Sequence, residues 1–167
     1  MKYKTEIECT SDKIVLDEES KNLIEKAIEA VLFEEQPDFD VFISVLVCDK
    51  EEIRSINNEQ REIDKATDVL SFPALKFDEN YNLLEEISDY DYDPELEAVY
   101  LGDMVLCADV AREQAEEYGH SVDREFAYLT VHSMYHLFGY DHMEENMKAD
   151  MRKKEETVLK KLGLERK

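Results

Sequence analysis

Three of the four histidines in this chain fall in one eleven-residue window, HSMYHLFGYDH, running from His132 to His142. This window constrains the fold more than any other stretch. The preceding residues predict a helix over Ser121–Phe138, with Ser121 as its N-cap and Asp123 in the first turn. Residues four apart lie on one helical face, one turn apart, so His132 and His136 point the same way and are close enough to share a metal. Gly139 stands where a left-handed C-cap ends such a helix, turning the chain so that His142 swings back toward the same point. Three neutral imidazoles then occupy three corners of a tetrahedron and leave the fourth open. His120, beside Gly119 between two helices, reads as an ordinary loop histidine.

The spacing is the ligand pattern of the metzincin zinc proteases with one change. The glutamate expected after the first histidine is Ser133. That glutamate is the general base of a metallopeptidase and serine cannot replace it, so the pattern keeps the metal and loses the usual peptidase mechanism. Three imidazoles with an open position suit one Zn²⁺ per chain best, with Ni²⁺, Co²⁺ or Fe²⁺ compatible on coordination grounds. Two readings of Asp141 stay open. It orients a ligand imidazole or accepts a proton at the open position, or it is a turn-forming aspartate.

Around this window the chain alternates strand and helix. Tyr3–Thr10 reads as a strand, Lys21–Glu35 as an amphipathic helix, and Val41–Cys48 (VFISVLVC) as a strand covered on both faces. Asp49 caps a short helix to about Gln60, Thr67–Phe72 and Val99–Leu106 are strands, and helices cover Ala108–Tyr118 and Glu144–Leu162. Residues 76–98, acidic and aromatic, read as a long mobile insertion whose DYDYDP comes close to a calcium loop without matching its spacing. The expected architecture is α/β or α+β, a small mixed sheet of about four strands packed with about five helices, in one catalytic domain spanning residues 1–167.

Charge sets the limits on partners. With 42 acidic against 20 basic side chains the formal net charge is −22, which repels polyanions except at a local basic patch. The candidates for that patch are Arg54, Arg61, Lys65 and the C-terminal helix, since residues 148–167 hold eight Lys/Arg against four Asp/Glu. Cys9, Cys48 and Cys107 lack metal or disulfide spacing and read as small buried residues. No apolar run approaches a membrane span and the N-terminus has no signal-peptide core, so a cytoplasmic protein is expected.

VHSMYHLFGYDH, NNEQREIDKATDVLSFP and LGDMVLC together resemble the YbeY family of bacterial metal-dependent endoribonucleases, associated with small-subunit (16S) ribosomal RNA 3′-end maturation and ribosome quality control. The resemblance implies that His132, His136 and His142 bind zinc, that Arg61 is the functionally important arginine, and that Thr67, Asp68 and Ser71 line the same cleft and bind substrate. It implies single-stranded RNA as substrate and the ribosome or a ribosomal protein as partner. Ser133 departs from the family's usual glycine, and the acidic insertion from its usual length. From the residues alone, Arg61 reads as a surface ion pair with Glu59 or Asp64. In the implied chemistry Arg61 stabilises charge developing on the phosphorus, and Asp141 is the other catalytic candidate. Two other functions stay open on the same residues, a zinc hydrolase of another class and a ribosome assembly factor whose metal is structural.

Overall fold

Tyr3–Cys9 (β1) and Val41–Cys48 (β2) run parallel, joined by the helix Glu18–Glu35 (α1). The structure, a computed structural model, describes residues 2–11, 14, 16–141 and 145–164. Lys50–Arg61 (α2) leads to Val69–Pro73 (β3), and Tyr92–Asp93 (β4) precedes the long strand Ala98–Cys107 (β5). Three helices complete the chain: Ala108–Tyr118 (α3), Val122–Leu137 (α4) and Glu145–Lys161 (α5). Strand order is β1-β2-β5-β3, with β1, β2 and β5 parallel and β3 antiparallel to β5. The mixed sheet and five helices match the expected class. The fifth strand, β4, pairs antiparallel with the start of β5 and lies inside the acidic insertion.

Three of the helix starts follow from side-chain caps. The Asp17 carboxylate accepts from Ser20 N at 2.8 Å, so α1 begins three residues before its apolar periodicity does. Asp49 and Ser121 do the same for α2 and α4.

The two sheet faces are covered unequally. Val41, Ile43, Val45 and Val47 of β2 are buried with α1, α4 and α5 in the main core. On the other face Cys48, Val105, Cys107 and Leu70 join Ile53 of α2 in a smaller cluster. The helix is too short to reach Phe42, which stays half-buried with its ring 5.7 Å from that of Tyr100. VFISVLVC is therefore covered fully on one face and only at its end on the other.

The insertion has local order of its own. The Asp78 carboxylate accepts from Asn80 N and Asn82 N at 2.8 and 3.0 Å, closing a turn beside the Phe77–Leu83 bridge. In DYDYDP, Asp91 and Asp93 likewise accept from backbone N–H groups of Ser88, Glu95 and Leu96, so these carboxylates build turns.

α4 is the central helix, touching α1, α3, α5, β3 and β5. Its approach to the sheet depends on Gly102, whose φ is +150° and whose added Cβ would lie 2.5 Å from Phe72 O and 2.8 Å from Leu137 Cδ2. Gly102→Ala should therefore cost about 1–3 kcal/mol through strain and overpacking, read as a lower urea midpoint. A midpoint equal to wild type would show that α4 is not seated at this position.

Candidate functional site

α4 ends in a turn that the sequence builds residue by residue. Gly139 N donates to His136 O at 3.0 Å and Tyr140 N to Tyr135 O at 2.9 Å, the paired bonds of a Schellman cap. Gly139 has φ +91°, and a Cβ there would meet Phe77 Cβ at 2.5 Å, so both backbone and packing require glycine. The apolar contact of this cap is the edge-to-face pair Tyr135–Tyr140, with centroids 5.1 Å apart.

The turn returns a carbonyl to the helix. His136 Nδ1 donates to Tyr140 O at 2.8 Å. A carbonyl only accepts, so the proton is on Nδ1 and the Nε2 lone pair points outward. His132 Nδ1 bonds Glu155 Oε2 of α5 at 3.0 Å, which sets the same tautomer when the carboxylate accepts. The two Nε2 atoms converge at 3.1 Å, with ring planes at 90°. Two nitrogen ligands of a tetrahedral zinc, at about 2.0–2.1 Å each, stand about 3.3 Å apart. The donor set and its anchoring, a carboxylate behind one imidazole and a carbonyl behind the other, therefore fit a metal ion. Among the described residues no group of three His, Cys, Asp or Glu converges as a metal site. His142, the third ligand expected from sequence, lies outside the described residues.

The histidines form one wall of a cleft of about 800 Å³. Arg61, Thr67, Asp68, Ser71 and Asp141 line it with them, so the structure gathers every described candidate residue. Their bonds differ. The Asp68 carboxylate accepts from Val69 N at 2.7 Å, Thr67 Oγ1 at 3.3 Å and Gln114 Nε2 at 3.4 Å, and so fixes the entrance to β3. Ser71 Oγ shares a 2.6 Å bond with Ser133 Oγ, which is fully buried. Position 133 thus faces β3, and its hydroxyl ties that strand to the histidine helix.

Arg61 is the last residue of α2 and is exposed. Asp64 does not pair with it: Arg54 takes that carboxylate in a two-pronged pair at 2.7 and 3.2 Å. Arg61 makes no ion pair among the described residues. Arg54 correspondingly drops out of the expected basic patch, its charge matched by Asp64. The loop after Arg61 is pinned by buried Asn57, whose Nδ2 donates to Lys65 O at 2.9 Å.

Sequence pattern alone did not single out two groups of the site. Glu155 is buried beside Met151, Val158 and Leu159, and a glutamate on the apolar stripe of an amphipathic helix was the available signal. Tyr81, from the insertion, stacks on Tyr140 at 3.8 Å and donates to Asp150 Oδ2 at 3.1 Å, bracing the turn against α5. Pattern reading could not find it because the contact crosses distant chain segments.

Burial, with the bond to Asp150 second, pushes the Tyr81 hydroxyl from 10.0 up to about 12. Burial likewise raises Tyr135 and Tyr140, with the nearby Glu35 charge adding to it. The fold favours neutral Tyr81, so its contribution is complete below pH 10 and is lost as pH rises through about 12. Tyr81→Phe should cost about 1 kcal/mol near neutrality, and its gap from wild type should close across that alkaline window in urea titrations. A gap absent at neutrality, or constant to the top of the window, would contradict this placement.

A family model described as Endoribonuclease YbeY matches residues 6–163. Endoribonuclease YbeY of Clostridium botulinum strain Loch Maree (type A3) is 45% identical over 163 residues, covering 96% of this chain and 98% of its own. The protein of the same description from strain Alaska E43 (type E3) is 46% identical with the same coverage. The solution structure of TM1509 from Thermotoga maritima aligns with a TM-score of 0.55 at 23% identity, covering 95% of this chain and 91% of that one, and shows the likeness of fold.

Proposed function

The chain belongs to the endoribonuclease YbeY family, and from that premise we propose that the histidine cleft is where it cuts single-stranded RNA, in the maturation of the 3′ end of small-subunit ribosomal RNA. As a family member it is an endoribonuclease, a hydrolase of RNA phosphodiester bonds. One observation carries the assignment to this cleft: an arginine without an ion pair among the described residues and two imidazoles with converging Nε2 atoms line the same opening.

His132 and His136, with His142, would hold one zinc or another divalent transition metal. Such an ion supplies Lewis acidity toward a phosphate oxygen and lowers the pKa of water toward neutrality. Arg61 meets a non-bridging phosphate oxygen with its forked donors and offsets the negative charge that grows as the phosphorus gains a bond. Thr67 and Asp68 set the edge of the cleft at the start of β3, and Ser71 reaches substrate from a position fixed by Ser133. Asp141, which follows the histidine turn and lines the cleft, would accept a proton in this reading. A flexible single strand can bend into this cleft where an A-form duplex cannot. Ribosomal RNA fits the acidic surface if a ribosomal protein helps to deliver it, since this chain alone repels polyanions at long range. No helix among the described residues is long and apolar enough to cross a membrane.

Cleavage of a labelled single-stranded RNA by zinc-loaded wild type is the test, beside His136→Ala and Arg61→Ala with folds checked by circular dichroism. Both variants should lose about 100-fold or more in rate. Equal cutting by all three would identify a contaminant and leave an assembly factor with a structural metal as the better reading. In chelator competition, Glu155→Gln should weaken zinc binding about 10–100-fold while leaving the melting temperature of the metal-free protein near wild type. Unchanged affinity would mean that the carboxylate does not orient His132.

A further inference from the structure

Four of the six basic residues of α5 divide by helix edge, while Lys148 and Lys153 are exposed outside both groups. Lys154 pairs with Glu35 at 3.2 Å and Lys161 with Glu34 at 2.7 Å, both carboxylates belonging to α1. Arg152 and Lys160 lie on another edge, exposed, and make no ion pair among the described residues. They line a second groove of about 580 Å³ between α4 and α5, with Arg124, Tyr128, Glu155 and Glu156 among its other walls.

Arg124 distinguishes this groove from a solvated helix face. It is only 7% exposed, yet its guanidinium has no ion pair or hydrogen-bond partner among the described residues. Its side chain is packed in place while its guanidinium nitrogens still open on the groove, and a planar fork held in that way suits phosphate. Its three cations face two carboxylates, Glu155, which is bonded to His132 Nδ1, and Glu156, so the groove is net positive in a chain that is strongly acidic.

The groove also abuts the cleft. Tyr128 stacks on the His132 ring at 5.7 Å and 24°, and Glu155 reaches the same imidazole, so His132 with its two supports is the wall between the two openings. We propose that the α4–α5 groove holds backbone phosphates of the RNA strand flanking the scissile bond, with Arg124 as the buried anchor and Arg152 and Lys160 at the rim. This rests on the RNA-cleaving reading of the adjacent cleft. It also says how a chain of net charge −22 grips a polyanion: by collecting unpaired cations in two adjoining depressions.

The experiment compares wild type, Arg152→Gln/Lys160→Gln and Arg124→Lys on two single-stranded RNAs. One is just long enough to fill the cleft and the other extends past it. Rates are measured on both, and binding of the labelled long RNA is followed by anisotropy at several salt concentrations. For the rim double variant, KM on the long RNA should rise about tenfold with kcat unchanged, and the salt slope of binding should fall by about 0.7 for each lost phosphate contact. The short RNA should be cut as by wild type. Arg124→Lys, which keeps the charge and loses the fork, should weaken the long RNA several-fold. Full affinity for the long RNA in the double variant overturns the proposal, and so does an equal loss on both RNAs, which would mean that the substitutions act through His132. If wild type cuts neither RNA, the cleavage reading fails. Binding then decides the groove separately, an unchanged salt slope in the double variant refuting it.

Discussion

The arrangement of two imidazoles held from behind is what the rest of the molecule is built around. His136 is fixed by the Tyr140 carbonyl and His132 by the Glu155 carboxylate, which turns two flexible side chains into a pair of aimed lone pairs. Each anchor needs support. The carbonyl is in place because α4 closes in a Schellman turn, because Gly139 lets Phe77 sit against it, and because Tyr140 is held between Tyr81 and Tyr135. The carboxylate is in place because α5 packs its apolar stripe on α4 with Glu155 on that stripe. The acidic insertion thereby becomes part of the site's scaffold.

Charge is handled by local matching. Most of the excess acid is solvated at the surface, but particular carboxylates decide which cations remain available. Asp64 takes Arg54 and leaves Arg61 to the cleft, while Glu34 and Glu35 take Lys161 and Lys154 and leave Arg152 and Lys160 to the α4–α5 groove. In a chain so acidic, the positions of unmatched cations say more about ligands than net charge does.

Much of this was legible in the sequence wherever the signal was local. The i, i+4 histidines and the glycine after them specify a helix, its face and its end, and the structure has all three. The strands and helices fall within a few residues of their apolar periodicities, with misses at α1 and β3 where a side-chain cap or a proline pairing moved the boundary. What escaped was non-local. The partner of Arg54 is ten residues away along the chain and bypasses Arg61, Tyr81 meets Tyr140 across the insertion, and Glu155 reaches His132 from another helix. The insertion looked like a loop because its order comes from aspartates capping backbone N–H groups, which shows no hydrophobic period.

X-ray absorption at the zinc edge of the metal-loaded chain, beside His136→Ala, bears most directly on whether these imidazoles are aimed at a metal. A first shell of nitrogen and oxygen at about 2.0–2.1 Å with imidazole scattering is expected, weakened in the variant. A sulfur shell at about 2.3 Å, or a spectrum identical in the variant, would put the metal elsewhere and contradict an imidazole-bound ion.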